Sequence, residues 1–95
     1  MWTPKTFILG ERRSVTLTVA LDEGTAAMPE APGWELVNLD TGQTEAKGVC
    51  EIVQDGSSYQ LSALIEPKMT GLYRLNISFS IGDEVRRPYL LVKVI

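Results

Sequence analysis

The sequence predicts an all-β fold, a single domain over residues 1–95 built as a sandwich or barrel of seven antiparallel strands. Three observations predict it. From Tyr73 to Ile81 every second residue is apolar (Tyr73, Leu75, Ile77, Phe79, Ile81) and Arg74, Asn76, Ser78 and Ser80 fall between them. Alternate side chains of a strand face opposite sides, so this segment has one dry face and one wet face. No long segment carries helical periodicity, and short β-rich runs are separated by turn residues at fairly regular spacing.

The elements follow in order. Thr6 to Gly10 is a short first strand, with Phe7 and Leu9 on one side and Ile8 on the other. Ser14 to Leu21 alternates cleanly: Val15, Leu17, Val19 and Leu21 face in, and its threonines and valines favour the pleated conformation. Asp22 to Gly33 holds two prolines and two glycines and reads as the longest loop. Trp34 to Leu39 is the third strand, closed by the turn signal Asp40-Thr41-Gly42. Thr44 to Val53 is the fourth, with Gly48 marking a bulge and Asp55-Gly56-Ser57-Ser58 a tight turn after it. Tyr59 to Ile65 follows, then the connection Glu66 to Gly71 and the strand that ends at Ile81. Gly82-Asp83 turns the chain into a last strand, Val85 to Val94, where Pro88 requires an edge or a bulge.

Size and charge bound the function. Ninety-five residues bury roughly 60–70% of the unfolded surface, enough to fold without metal or disulfide. Net charge is −3, from nine basic and twelve acidic residues, which argues against nucleic acid, whose binders carry a basic stripe. The pairs Arg12-Arg13 and Arg86-Arg87 read as solvated edge charges. No segment approaches the roughly 20 apolar residues of a membrane helix. The N-terminus lacks the apolar run of a signal peptide, so cytoplasmic synthesis is expected, with an extracellular setting if the chain is cut from a longer exported protein.

The residue inventory points away from catalysis. There is no histidine, which removes the commonest general base and the common triads. Cys50 is the one cysteine and reads as a buried small apolar residue. The carboxylates form no calcium-loop spacing, and no phosphate-binding glycine loop occurs. No enzyme activity, cofactor or metal is expected. The sequon at Asn76-Ile77-Ser78 is a chance match in this strand.

The order of these features resembles an immunoglobulin-like or fibronectin-type sandwich of the disulfide-free bacterial or bacteriophage kind. Trp34 opens the third strand, as a core tryptophan does there, and Gly71-Leu72-Tyr73 resembles a tyrosine corner. The resemblance implies that the Tyr73 hydroxyl bonds to backbone between Glu66 and Thr70. It also implies that Leu75 takes the place of the absent second core cysteine, opposed by Leu17 or Val19. The core expected on this basis is Leu17, Val19, Trp34, Leu61, Leu75, Ile77, Phe79 and Val92.

First and last strands are neighbours in many such sandwiches. Ile8, Tyr89 and Leu91 would then form one apolar contact patch, unless Trp2 or the long loop closes over it. Met28, in the loop Ala26 to Gly33, is the other candidate contact residue. The expected function is a non-catalytic structural or protein-interaction module, such as a bacteriophage virion component, joined to a protein partner or to itself through edge strands. The alternative is a carbohydrate- or ligand-binding module of a larger secreted protein, which needs two or three exposed, coplanar aromatics; Trp2, Trp34 and Tyr59 are the candidates, and alternation places two of them inside.

Overall fold

Alternation decides where the core lies. The computed structural model describes residues 5–20, 29–56 and 58–95. Among these, nine strands form: β1 (Lys5–Phe7), β2 (Arg13–Ala20), β3 (Glu30–Asn38), β4 (Gln43–Val49), β5 (Glu51–Asp55), β6 (Ser58–Ile65), β7 (Gly71–Ile81), β8 (Glu84–Arg86) and β9 (Tyr89–Val94). One sheet has the order β1-β9-β7-β3-β4, with β8 also paired to β7, and the other has the order β2-β6-β5. Every pairing is antiparallel except that of β1 with β9, which is parallel.

The inward rows of the two sheets meet in one core. β7 supplies Tyr73, Leu75, Ile77 and Phe79, flanked by Leu36 of β3, Val92 and Val94 of β9, and Phe7 of β1. The second sheet answers with Val15 of β2 and Leu61, Ala63 and Ile65 of β6. Each large side chain buried there contributes about 1.5–3 kcal/mol. The all-β class and the alternation of β2, β6 and β7 therefore follow the sequence pattern.

Several local expectations are corrected. The run Thr44 to Val53 is two strands: the chain leaves the first sheet after Val49 and joins the second at Glu51. Cys50 is the crossing residue. Its thiol is buried, and its N–H donates to the Pro32 carbonyl at 3.0 Å. The last strand also divides, into β8 and β9, because Arg87-Pro88 breaks the ladder. β3 begins at Glu30, so residues 30–33 belong to a strand; its register is irregular between Glu30 and Gly33, where Ala31 adopts a φ of 50°.

The bulge lies elsewhere than at Gly48. Leu36 pairs with Ala46 and Val37 with Thr44, so Glu45 is the extra residue. Gly48 has another reason to lack a side chain: a Cβ there would sit 2.9 Å from three indole atoms of Trp34. Trp34, Leu17 and Val19 pack against the core but are only partly buried. All three are half-buried at the margin of the core, Leu17 and Val19 because β2 is an edge strand among the described residues.

Candidate interaction surface

One end of the sandwich is organised by Tyr73. Its ring is fully buried on β7, and its hydroxyl accepts the Met69 N–H at 3.2 Å, four residues back along the chain. This is the contact that the tyrosine-corner resemblance implies. The same hydroxyl donates to Glu45 Oε1 at 2.7 Å, and Glu45 Oε2 accepts the Lys68 N–H at 3.2 Å. The bulge explains the reach of Glu45, since an extra strand residue re-aims its side chain. Burial, then the hydrogen bond and charge of Glu45, push the Tyr73 hydroxyl pKa above its ordinary value. The β6–β7 connection is thereby fastened to β4.

Neighbouring turns close the same end. Asn38, buried at the end of β3, accepts the N–H groups of Asp40 and Thr41 on Oδ1 at 2.9 and 3.3 Å. This side-chain turn sets the path of residues 39–42 and leaves Leu39 outside. The Leu39 N–H bonds the Leu72 carbonyl at 3.0 Å, while Leu9 and Ile95 are joined by a 3.0 Å backbone bond. Gly71 pairs with Val94, so the end of β9, the start of β7 and the β3–β4 turn share one end of the molecule.

Apolar side chains concentrate there. Of the ten large hydrophobic residues that are exposed among the described residues, five lie at this end: Ile8, Leu9, Leu39, Met69 and Ile95. Ile8 is 62% exposed, Ile95 58% and Met69 54%. A charged rim accompanies them. Lys68 hydrogen-bonds Glu66 and lowers its carboxyl pKa, first through that bond and then through its charge, with a smaller contribution from Arg12.

The sequence-predicted contact residues are divided. Tyr89 and Leu91 share the outer face of β9, Tyr89 at 53% exposure and Leu91 half-buried. Ile8 is at the other end of β9, beside Ile95, with exposed Lys93 intervening. At about 3.3 Å per residue, roughly 20 Å of strand separates Ile8 from Tyr89, so the structure does not bring all three together. Met28 and Trp2 lie outside the described residues. Sequence reading missed Leu39 and Met69 because alternation assigned Leu39 to a strand and Met69 to an ordinary connection. The turn signal directly after Leu39 was the clue to its display.

The outer face of the larger sheet holds a depression of about 770 Å³. Gly33 leaves it open, and Glu35, Lys47, Asn76, Ser78 and Arg87 line it. Asn76 Nδ2 donates to Glu35 Oε1 at 3.3 Å. Trp34 and Gly48 line both this depression and a smaller groove with Glu51, Ser62 and Leu64. Burial raises the Cys50 thiol above its ordinary pKa, which leaves it a protonated, poor nucleophile. Among the described residues no three His, Cys, Asp or Glu side chains converge to hold a metal ion. No family model matches this chain, and neither does any curated protein or solved structure.

Proposed function

We propose that this chain is a non-catalytic structural or protein-interaction module on an immunoglobulin-like sandwich, and that its apolar end is the contact surface. The observation that carries the reading is the gathering of Ile8, Leu9, Leu39, Met69 and Ile95 at one end. Concentrated exposed apolar side chains within a charged rim mark protein contacts. The immunoglobulin-like assignment is supported by the sheet orders β1-β9-β7-β3-β4 and β2-β6-β5 and by the Tyr73–Met69 bond. A virion is the setting that the sequence reading favours.

Site-specific photo-cross-linking in producing cells tests the proposal. A cross-linker at Leu9 or Met69 should give an adduct of discrete mass, and one at Val53, exposed on β5, should not. Equal labelling from all three positions, or none from any, refutes the apolar end as the contact.

A second reading has its own observation, the depression lined by Glu35, Lys47, Asn76, Ser78 and Arg87 beside Trp34. Polar side chains converging on an outer sheet face suit a carbohydrate, while the Trp34 indole lies on the opposite, core-facing side of β3. Titration calorimetry with neutral and acidic polysaccharides decides it: saturable binding that Lys47→Ala with Asn76→Ala abolishes supports the reading, and no heat of binding with any of them refutes it.

A further inference from the structure

The edge strands differ in one respect. β4 carries Glu45 and Lys47, β5 carries Glu51 and Asp55, β1 carries Lys5, and β8 carries Glu84 and Arg86. Charges of this kind guard a free edge against pairing with another chain. β2 has none after its first residue: Ser14 to Ala20 reads Ser-Val-Thr-Leu-Thr-Val-Ala. Arg13, the exception, is turned toward β1. Its guanidinium stands 4.2 Å from the Phe7 ring centroid and donates to the Thr6 carbonyl.

β2 pairs with β6 through eight register positions and, among the described residues, has no strand on its other side. Two open depressions flank it instead. One, of about 310 Å³, touches Arg13 to Thr16, and the other, of about 580 Å³, touches Leu17 to Ala20. Between them they run the length of the strand. Leu17 faces inward but stays half-buried, while its partner Leu61 on β6 is fully buried.

The strand is also a palindrome. Val15-Thr16-Leu17-Thr18-Val19 reads the same in both directions. We infer that β2 is a self-association edge, and that two copies of this chain pair antiparallel about a twofold axis at Leu17. Leu17 then faces its own copy, Val15 faces Val19, and Thr16 faces Thr18. Within Val15 to Val19 every inward pair is apolar and both outward pairs set a threonine against a threonine, which hydrogen-bond across strands. Twofold association requires such a self-complementary patch. A one-residue slip would set inward residues against outward ones. A two-residue slip toward the N-terminus would set Arg13 against the inward Val19. The product is a six-stranded sheet, β5-β6-β2 continuing into β2-β6-β5 of the second copy. This contact is independent of the apolar end.

Light scattering on a sizing column, from low micromolar to millimolar protein, tests it with two double variants. Thr16 and Thr18 are exposed, so charges there leave the core intact, which circular dichroism checks. T16K/T18K sets two like-charge pairs across the axis and should raise the dimer dissociation constant roughly tenfold or more. T16K/T18E sets two opposite-charge pairs and should restore the dimer. The expected masses are twice 10.5 kDa for the unaltered chain and for T16K/T18E, and 10.5 kDa for T16K/T18K at the same concentration. A monomer at every concentration overturns the inference. So does a dimer that T16K/T18K leaves intact, or T16K/T18E dissociating as readily as T16K/T18K.

Discussion

Removing the Tyr73 hydroxyl is the sharpest test of how one end of the sandwich is held. Tyr73→Phe keeps a ring that is fully buried and deletes only the atom that bonds Met69 N–H and Glu45 Oε1. A hydrogen bond to a charged acceptor contributes about 1.5–3 kcal/mol, and one from a part-buried backbone N–H about 0.5–1.5 kcal/mol. Two facts reduce the sum. Glu45 keeps the Lys68 N–H on its other oxygen, and it is half-exposed, so water re-solvates it. The expected loss is about 2 kcal/mol. For a domain of this size that lowers Tm by about 8–16 °C. Urea and thermal unfolding followed by circular dichroism measure it directly. A double-mutant cycle with Glu45→Ala isolates the pair, and a coupling of about 1–2 kcal/mol is expected for a charge-assisted bond. A loss under about 0.5 kcal/mol, or strict additivity in the cycle, would mean that the hydroxyl does not tie the β6–β7 connection to β4.

Three further outcomes are expected of the same core. Stability should fall in alkali: the pKa values of Cys50 and Tyr73 are raised from 9.0 and 10.0, so the folded state keeps protons that the unfolded state releases. That stability is fully present below pH 9 and is lost as pH rises through the folded values; Cys50→Ala should remove the part beginning near pH 9, and Tyr73→Phe the part above pH 10, with Tm against pH as the readout. Gly48→Ala should cost about 1–2 kcal/mol and red-shift tryptophan emission, because its Cβ meets the Trp34 indole at 2.9 Å; an unchanged spectrum and midpoint would show that the indole rests elsewhere. Leu75→Asp should abolish the cooperative unfolding transition, since that fully buried position has no partner for a charge, and a folded variant would refute the placement of β7.

Strands whose two faces meet different solvents were legible in the sequence. β2, β6 and β7 are such strands, and their alternation gave the right face for Val15, Leu61, Leu75 and Ile77. Positions set by three-dimensional closure were not legible. Nothing local to Thr44–Val53 says that the chain changes sheets at Cys50, because the apolar pattern on either side suits both sheets. The bulge at Glu45 is a property of β4 against β3, and glycine at Gly48 was a misleading signal for it. The half-exposure of Leu17 and Val19 depends on which strand ends up at an edge, and alternation carries no record of sheet order. Contact residues were harder still. Ile8 and Tyr89 lie on adjoining strands, but only the parallel register of β1 on β9 shows how far apart they are.

That parallel register has a mechanical consequence. Lys5 stands opposite Val92 and Phe7 opposite Val94. Tension that pulls the chain before Lys5 away from the chain after Val94 drags β1 and β9 past each other along their common axis. The inter-strand bonds are then strained together, in shear, and must yield at once. An antiparallel pair in that place would be peeled open one bond at a time. Any assembly that stretches the domain between these two points would meet its resistance at this short ladder before the core is disturbed.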